Sequence, residues 1–138
     1  MPVSVVEIKV RGYHLDVFGH VNNARYLEFL EEGRWAYGDQ YLDLTAWKDR
    51  GIVFSVVNIN INYRRPAGLG DVLEVRTRLS RLGRASAVMH QEIVFKGSDT
   101  RVADADVTFA MVDGRTNKAI PLAGDIRAAY EALLDPQG

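Results

Sequence analysis

The sequence predicts an α+β domain in which one long helix packs on an antiparallel sheet. One stretch near the N-terminus, residues 23–37, has the hydrophobic period of a helix. Most of the second half of the chain reads as a succession of strands separated by glycines. A helix and a sheet that each bury one face form two layers around one core. The length of 138 residues suits a single domain spanning residues 1–138.

The first strand and the long helix follow from the apolar pattern. Residues 3–10 predict a strand that ends before Gly12, and residues 23–37 predict the helix, with Gly38 as its end. The buried stripe of this helix is expected to contain Tyr26, Phe29, Leu30, Gly33 and Tyr37. A glycine inside a helix costs about 1 kcal/mol relative to alanine, so Gly33 is expected to allow close contact with a sheet.

The remaining elements are a short helical turn, four strands and a closing helix. Strict alternation predicts a strand over residues 55–63, with an asparagine face opposite a buried face that includes Val57 and Tyr63. After a turn at residues 66–70, further strands are expected. The predicted ranges are 42–50 for the helical turn, 72–82, 85–95 and 102–112 for the later strands, and 125–134 for the last helix. We expect the four later strands to form a meander.

Composition excludes several classes of function. Seventeen Lys plus Arg against eighteen Asp plus Glu give a net charge of -1, so no overall field attracts nucleic acid or an acidic membrane. The chain has no cysteine, and its three histidines lack metal-ligand spacing. The sequence also lacks a Walker loop and a dinucleotide-binding fingerprint, so we expect no metal and no cofactor. Residues 1–10 do not read as a signal peptide, and the longest apolar stretch is too short for a membrane helix, so a cytoplasmic protein is expected.

The segment between the first strand and the long helix concentrates polar side chains. In one interpretation, Asn22 or Asn23 caps the helix and Asp16 lies near its positive end. In the other, the free N–H groups of the helix end hold a carbonyl oxygen, while the Asp16 carboxylate deprotonates water or attacks the carbonyl carbon. The second interpretation predicts acyl transfer.

Several motifs together carry a resemblance to a known family. They are Arg-Gly-Tyr at 11–13, Asp-x-x-Gly-His-Val-Asn-Asn-Ala-Arg-Tyr from residue 16, Asn-Ile-Asn-Ile-Asn-Tyr-Arg-Arg-Pro from residue 58 and Gly-Asp at 70–71. The chain resembles the hotdog-fold acyl-CoA thioesterases of the 4-hydroxybenzoyl-CoA thioesterase-like group, and most strongly the bacterial long-chain acyl-CoA enzymes. The resemblance implies an antiparallel sheet wrapped around one central helix, with a C-terminal helix.

The resemblance also implies roles for residues at the start of the central helix. Asp16 stands where the family has its catalytic carboxylate, acting as general base or as nucleophile. The backbone N–H of Asn23 corresponds to the group that polarises the carbonyl, with possible help from Asn22. His20 is shared with the plant acyl carrier protein thioesterases, which have Asn at the position of Phe18. For His20, orientation of the loop and direct participation therefore both stay open.

The expected substrate is a medium- to long-chain fatty acyl-CoA. Phe18 and Phe54, together with Phe29 and Val56, are expected to line an apolar channel for the acyl chain or else to be core residues. Two arginines are candidates for the coenzyme A phosphates or for simple solvation, namely Arg65 and Arg84. The alternatives are a non-catalytic acyl-CoA or acyl carrier protein binding module, and a thioesterase for an aromatic acyl-CoA.

The family forms dimers whose sheets join edge to edge, and often tetramers, so a homodimer or homotetramer is expected. The polar face of the strand over residues 55–63 is either a surface that packs on a partner or a solvated outer face. Its members are Asn58, Asn60 and Asn62.

Overall fold

The computed structural model describes residues 2–134, which form five antiparallel strands and three α-helices. In chain order the elements are β1 (Ser4–Lys9), α1 (Asn23–Tyr41), α2 (Leu44–Asp49), β2 (Ile52–Tyr63), β3 (Val72–Leu82), β4 (Ser86–Phe95), β5 (Arg101–Asp113) and α3 (Gly124–Glu131). The predicted α+β class is confirmed.

Helix α1 buries the predicted stripe against the sheet. Gly33 lies where a Cβ atom would be 2.6 Å from Val75 Cγ1 and 2.8 Å from Thr77 Oγ1, so the predicted close contact with the sheet is confirmed. The expectation that Gly38 ends the helix is wrong. Gly38 is buried inside α1, and a Cβ there would be 2.8 Å from Leu44 Cδ1. This glycine therefore accommodates α2, and the helix continues for three more residues.

The strands lie in the order β1-β3-β4-β5-β2. The predicted four-strand meander is wrong in one respect, because only β3, β4 and β5 follow one another, while β2 pairs with β5 at the far edge. The connection from β2 to β3 crosses the N-terminal end of α1. Along this path Arg64 N–H donates to the Val102 carbonyl, Val21 N–H to the Ala67 carbonyl and Gly70 N–H to the Val10 carbonyl. The crossing brings the loop of residues 64–71 beside the start of α1.

Strand β2 is longer than predicted and contains a bulge. It begins at Ile52, and its register with β5 shifts between Val56 and Asn58. The bulge breaks the strict alternation expected from the sequence. Val57 was predicted on the buried face, but it lies at the bulge and is 60% exposed. Ile59 keeps the predicted orientation and packs against the core.

The core has two apolar clusters along α1. The first surrounds the N-terminal half of the helix and includes Phe29 and Leu30, while the second joins Tyr37 to α2 and α3 through Trp47 and Tyr130. The predicted C-terminal helix is present but ends at Glu131 rather than at residue 134. Among the described residues, no helix is long and apolar enough to cross a membrane.

Candidate active site

The loop before α1 holds the Asp16 carboxylate in a fixed position. Asp16 Oδ1 accepts hydrogen bonds from the backbone N–H of Phe18 at 2.9 Å and of His20 at 3.3 Å. The Asp16 N–H donates to the His20 carbonyl at 2.8 Å, which closes the turn. Gly19 has φ +78°, a conformation that favours glycine. The other oxygen, Oδ2, makes no hydrogen bond within residues 2–134, so it is available for chemistry.

Asn22 caps α1, as one interpretation of the sequence predicted, and the N–H of Asn23 is still available to a carbonyl oxygen, as the other interpretation requires. Asn22 is the N-cap, and its Oδ1 accepts from the Ala24 N–H at 2.9 Å. Asn23 is the first helical residue, whose N–H points out of the helix without an intrahelical acceptor. In the part of the chain that the structure describes, this N–H has no other acceptor. The Tyr63 hydroxyl donates to the Asn23 carbonyl at 3.1 Å and fixes the helix end against β2.

These groups surround one open pocket of about 400 Å³ at the N-terminal end of α1. Its lining residues are Asp16, His20, Val21, Asn23, Tyr26, Tyr63, Arg64, Arg65 and Pro66. Four residues predicted from the sequence thus come together here, namely Asp16, His20, Asn23 and Arg65. We call this cavity the Asp16 pocket.

His14 connects the loop before α1 to the N-cap of the helix. It is buried, and its Nδ1 accepts from the Arg11 N–H at 2.8 Å, so Nδ1 carries the lone pair in the folded protein. Burial, followed by the charge of Arg25, lowers the pKa of His14 below its usual value of 6.5. The His14 carbonyl accepts from the Asn22 N–H at 2.9 Å. The neutral ring therefore lies between the loop and the cap of α1.

The two adjacent arginines of the pocket differ in their partners. Arg64 Nε donates to Asp104 Oδ2 at 2.9 Å, and Asn62 Nδ2 donates to Asp104 Oδ1 at 3.2 Å. Asp104 is buried, and the hydrogen bond from Arg64 is the main cause that lowers the pKa of its carboxyl. The Arg65 side chain pairs with no carboxylate in residues 2–134. Arg64 is thus committed to a structural contact, whereas Arg65 is available to an anion.

Other predicted binding residues lie outside the Asp16 pocket. Phe18 is on the loop surface and is 80% exposed, while Phe29 is buried in the core. Phe54 lines a separate apolar pocket beside the C-terminal half of α1. Arg84 follows β3, whose 11 residues place it roughly 30 Å from the loop of residues 64–71. Val56 lines the same pocket as Phe54. The predicted channel residues Phe18, Phe29, Phe54 and Val56 therefore do not form a single channel within one chain. The binding roles of Phe18, Phe54 and Arg84 stay predictions.

The asparagine face of β2 lies on the side of the sheet away from α1. Asn62 bonds to Asp104 rather than to the neighbouring amides. Asn58 and Asn60 border a shallow depression with Arg78, His90 and Asp106. The expected role of this face in packing on a partner stays a prediction.

Sequence reasoning missed Tyr63 as a site residue. It was placed on the buried face of a strand, yet it is 48% exposed and lines the Asp16 pocket. The signal available was its place at the end of a strand, immediately before Arg64 and Arg65. Strand ends that meet a loop are common places for functional residues.

The arrangement suits attack on a carbonyl carbon. One carboxylate oxygen of Asp16 is available beside a pocket that also contains the outward N–H of Asn23. An N–H at a helix start stabilises negative charge that develops on a carbonyl oxygen. The pocket therefore combines a base or nucleophile with an electrophilic group.

Comparisons with known proteins give a consistent result. Residues 10–130 match the Thioesterase-like superfamily. Long-chain acyl-CoA thioesterase FadM from Escherichia coli strain K12 is 50% identical over 129 residues, which are 93% of this chain and 97% of FadM. Acyl-CoA thioesterase YbgC from Haemophilus influenzae is 29% identical over 128 residues, 90% of this chain and 93% of YbgC. The crystal structure of YbaW, a probable thioesterase from Escherichia coli, has 48% identity and a TM-score of 0.85, covering 95% of this chain and 98% of YbaW.

Proposed function

The chain belongs to the Thioesterase-like superfamily, and we propose that it hydrolyses medium- to long-chain fatty acyl-CoA to a free fatty acid and coenzyme A. The family resemblance and the hotdog fold expected from the sequence are confirmed. The observation that carries the proposal is the Asp16 carboxylate, which is held by two backbone amides and lies in one pocket with the start of α1. The relative FadM, named as a long-chain acyl-CoA thioesterase, supports the choice of substrate.

Two chemical routes start from the same Asp16 oxygen. As a general base, Asp16 takes a proton from water, and the water oxygen bonds to the thioester carbon. The carbonyl oxygen becomes negatively charged next to the Asn23 N–H, the C–S bond then breaks, and the coenzyme A sulfur receives the proton. As a nucleophile, Asp16 bonds to the thioester carbon, the thiolate leaves, and water hydrolyses the mixed anhydride. His20 orients Asp16 through its backbone in either route.

Repeated single turnovers in ¹⁸O-labelled water test for the nucleophilic route. In the nucleophilic route, water that attacks the anhydride at the Asp16 carbonyl places ¹⁸O on Asp16. Water that attacks the acyl carbonyl instead places ¹⁸O on the fatty acid, which is also the product of the general-base route. A general base never places the label on the protein. Mass spectrometry of the peptide that contains Asp16, after repeated single turnovers, therefore gives a positive signal for the nucleophilic route.

Arg65 is the proposed contact for a phosphate of coenzyme A. It lines the Asp16 pocket and has no carboxylate partner in the described residues, whereas Arg64 is held by Asp104. Arginine binds phosphate with two parallel hydrogen bonds. Free coenzyme A is then a competitive inhibitor, and Arg65→Ala raises its inhibition constant by about tenfold. Arg115→Ala is the matched control, because the Arg115 side chain is 90% exposed and lies elsewhere. Equal inhibition of all three proteins contradicts the assignment.

A second copy of the chain is the proposed partner. Strand β2 is at the sheet edge, and none of the other strands in residues 2–134 pairs with its outer side. Val53, Val56 and Val57 on this strand are 41%, 46% and 60% exposed. A long edge strand with apolar side chains is a template for pairing with another strand. Such a dimer, or a tetramer made from it, is required if Arg84 and Phe54 are to approach the Asp16 pocket of another chain.

Light scattering on a gel-filtration peak measures the oligomer directly. We expect two or four times the chain mass of 15.4 kDa. Val57→Lys places a charge on the exposed edge and is expected to shift the peak towards the mass of a single chain. A wild-type peak at the mass of one chain contradicts the proposed dimer.

A panel of thioesters tests the substrate assignment. Thiol release is measured from acetyl-CoA to palmitoyl-CoA, with 4-hydroxybenzoyl-CoA as the aromatic control. Each buried methylene contributes about 0.8 kcal/mol, so kcat/KM is expected to rise with chain length until the acyl site is full. A flat profile or a preference for the aromatic thioester contradicts the long-chain assignment. Binding without thiol release identifies a non-catalytic module instead.

A further inference from the structure

The most exposed apolar side chains of the described residues lie at one end of the molecule, in the two loops that line the Asp16 pocket. The four large apolar side chains with the greatest exposure in residues 2–134 are those of Val17, Phe18, Tyr13 and Leu69, at 92%, 80%, 71% and 69%. We call these four residues the apolar rim. Exposed apolar residues that occur singly are ordinary, whereas a cluster of them marks an interaction surface.

Backbone contacts join the two loops that carry the apolar rim. His20 forms an antiparallel bridge with Gly68, and the neighbouring Val21 N–H donates to the Ala67 carbonyl at 2.9 Å. Two members of the rim lie on the turn that ends at this bridge, and a third follows the bridge directly in the other loop. The rim is therefore formed by two adjoining loops rather than by scattered positions.

The apolar rim takes no part in the folded core. None of its members belongs to either of the two apolar clusters. The Phe18 N–H donates to Asp16 Oδ1 at 2.9 Å, so the backbone of the loop tip is fixed although its side chains project outward. Apolar side chains that a fixed backbone holds in water gain free energy when a partner removes them from water. The fold itself supplies no such partner within residues 2–134.

Two arginines without partners accompany the rim. Arg11 and Arg65 lie in the same two loops, both are exposed, and neither forms an ion pair within 4.0 Å in the described residues. The two acids of these loops, Asp16 and Asp71, each have one oxygen bonded to a backbone N–H. The surface around the rim therefore offers free guanidinium groups to a negatively charged partner.

Size and shape decide which partner suits the rim. A stable protein–protein interface uses about 20–30 residues on each side, whereas the rim offers four side chains on loop tips. Such projections suit the interface of a lipid bilayer, where aliphatic groups and phenylalanine enter the acyl boundary, tyrosine lies among the headgroups and arginine attracts anionic lipid. The net charge of -1 supplies no overall attraction, so the contact depends on these local groups.

We propose that the apolar rim inserts reversibly into the surface of an anionic lipid bilayer, with Arg11 beside the lipid phosphates. The bilayer contact rests on the exposed rim and the unpaired arginines. Its use rests on the proposed function, because the rim places the mouth of the Asp16 pocket at the bilayer surface, and the acyl chain of a long-chain acyl-CoA partitions into the same bilayer. The substrate reaches Asp16 directly from the bilayer.

Co-sedimentation of the full chain with vesicles tests the contact. The vesicles contain either phosphatidylcholine alone or equal parts of phosphatidylcholine and phosphatidylglycerol. We expect saturable binding to the anionic vesicles that weakens as salt is added. Phe18→Ser and Leu69→Ser each remove one apolar projection and are expected to weaken binding by about tenfold. Trp35→Ser is the matched control and is expected to bind like wild type, because Trp35 is 58% exposed and lies about 18 Å further along α1 than Asn23.

Arg11→Gln separates the electrostatic part of the contact from the apolar part. It is expected to weaken binding to the anionic vesicles by about fivefold and to leave binding to phosphatidylcholine vesicles unchanged. Wild-type protein that does not sediment with anionic vesicles overturns the proposal. Equal binding of wild type, Phe18→Ser and Leu69→Ser also overturns it, as does an equal loss of binding in Trp35→Ser.

Light scattering without vesicles distinguishes a bilayer from a second copy of the chain as the partner of the rim. Phe18→Ser and Leu69→Ser are expected to keep the mass of the wild-type protein. A lower mass in both variants assigns the rim to a contact between copies and overturns the proposal.

The outcome is separable from that of the proposed function. A protein that releases thiol from acyl-CoA but does not bind vesicles disproves the bilayer contact alone. A protein that binds vesicles through the rim but releases no thiol disproves the proposed function alone. Where both hold, Leu69→Ser is expected to lower kcat/KM about tenfold for palmitoyl-CoA held in vesicles and to leave it unchanged for a short-chain acyl-CoA in water. Equal kcat/KM of wild type and Leu69→Ser on the vesicle-bound substrate overturns delivery from the bilayer.

Discussion

Replacement of Gly33 by alanine is expected to destabilise the protein, although alanine is the better helix former. Ala at this position gains about 1 kcal/mol of helix propensity. The new Cβ would lie 2.6 Å from Val75 Cγ1, 2.8 Å from Thr77 Oγ1 and 2.9 Å from Gln91 Nε2. Carbon atoms pack best at roughly 3.5–4.0 Å, so α1 must retreat by about 1 Å or these side chains must move.

The size of the effect follows from these contacts. Overpacking costs about 1–3 kcal/mol. Gln91 also bonds to the Leu30 carbonyl and to Arg34, and weakening these bonds costs about 1 kcal/mol more. After the gain in propensity is subtracted, the net loss is about 2 kcal/mol. With an m-value of about 2 kcal/mol/M, this loss lowers the urea midpoint by about 1 M.

Urea unfolding at a fixed protein concentration measures this change, with Gly12→Ala as the control. A Cβ at Gly12 meets nothing within 4 Å, so this control is expected to stay within about 0.5 kcal/mol of wild type. A Gly33→Ala protein as stable as wild type, or more stable, refutes the argument that α1 and the sheet are in direct contact at this residue.

Three further predictions concern the support of the Asp16 pocket. Because the pKa of folded His14 is lowered, the unfolded chain binds more protons just below pH 6.5, and stability is lost as the pH falls through that range. Between pH 7.5 and pH 5.5, His14→Gln is expected to lose less unfolding free energy than wild type, as measured by urea unfolding at each pH. An equal loss in both proteins contradicts the buried neutral ring. Asp104→Asn leaves Arg64 without its carboxylate and is expected to cost about 1–2 kcal/mol of unfolding free energy. The cost is smaller than for a fully buried pair because the Arg64 side chain is 51% exposed. An unchanged urea midpoint contradicts this expectation. Tyr63→Phe removes the bond to the Asn23 carbonyl and is expected to lower kcat by about fivefold with KM unchanged, while a change in KM alone indicates substrate contact instead.

Local patterns in the sequence predicted the elements and the residues close together in the chain. The stripe of α1 and the use of Gly33 follow from helical periodicity, which depends on neighbours three and four residues away. The association of Asp16, His20 and Asn23 follows for the same reason, since one short loop and one helix end contain all three. The Asn22 cap was likewise one of two interpretations of the same residues.

Features that depend on distant parts of the chain were not predicted. The pairing of β2 with β5 requires the chain to cross the end of α1, and no local pattern encodes that path. The apolar and polar residues of residues 55–63 alternate regularly in the sequence, so the bulge at Val57 could not be predicted from this pattern. Arg34 and Gln91 are 57 residues apart, so their contact exists only after the helix docks on the sheet. Tyr63 lies in the site because β2 packs beside the start of α1, where its hydroxyl bonds to the Asn23 carbonyl.

The turnover of Asp16→Asn on a long-chain acyl-CoA tests the central claim most directly. The asparagine oxygen can still accept the bonds from Phe18 and His20, so the loop is expected to keep its shape. Loss of the carboxylate is expected to lower kcat by about 100-fold to 10,000-fold. Asp39→Asn, at an exposed position of α1, is the matched control and is expected to keep full activity. An Asp16→Asn protein that is folded and turns over at more than about a tenth of the wild-type rate contradicts the catalytic role of Asp16.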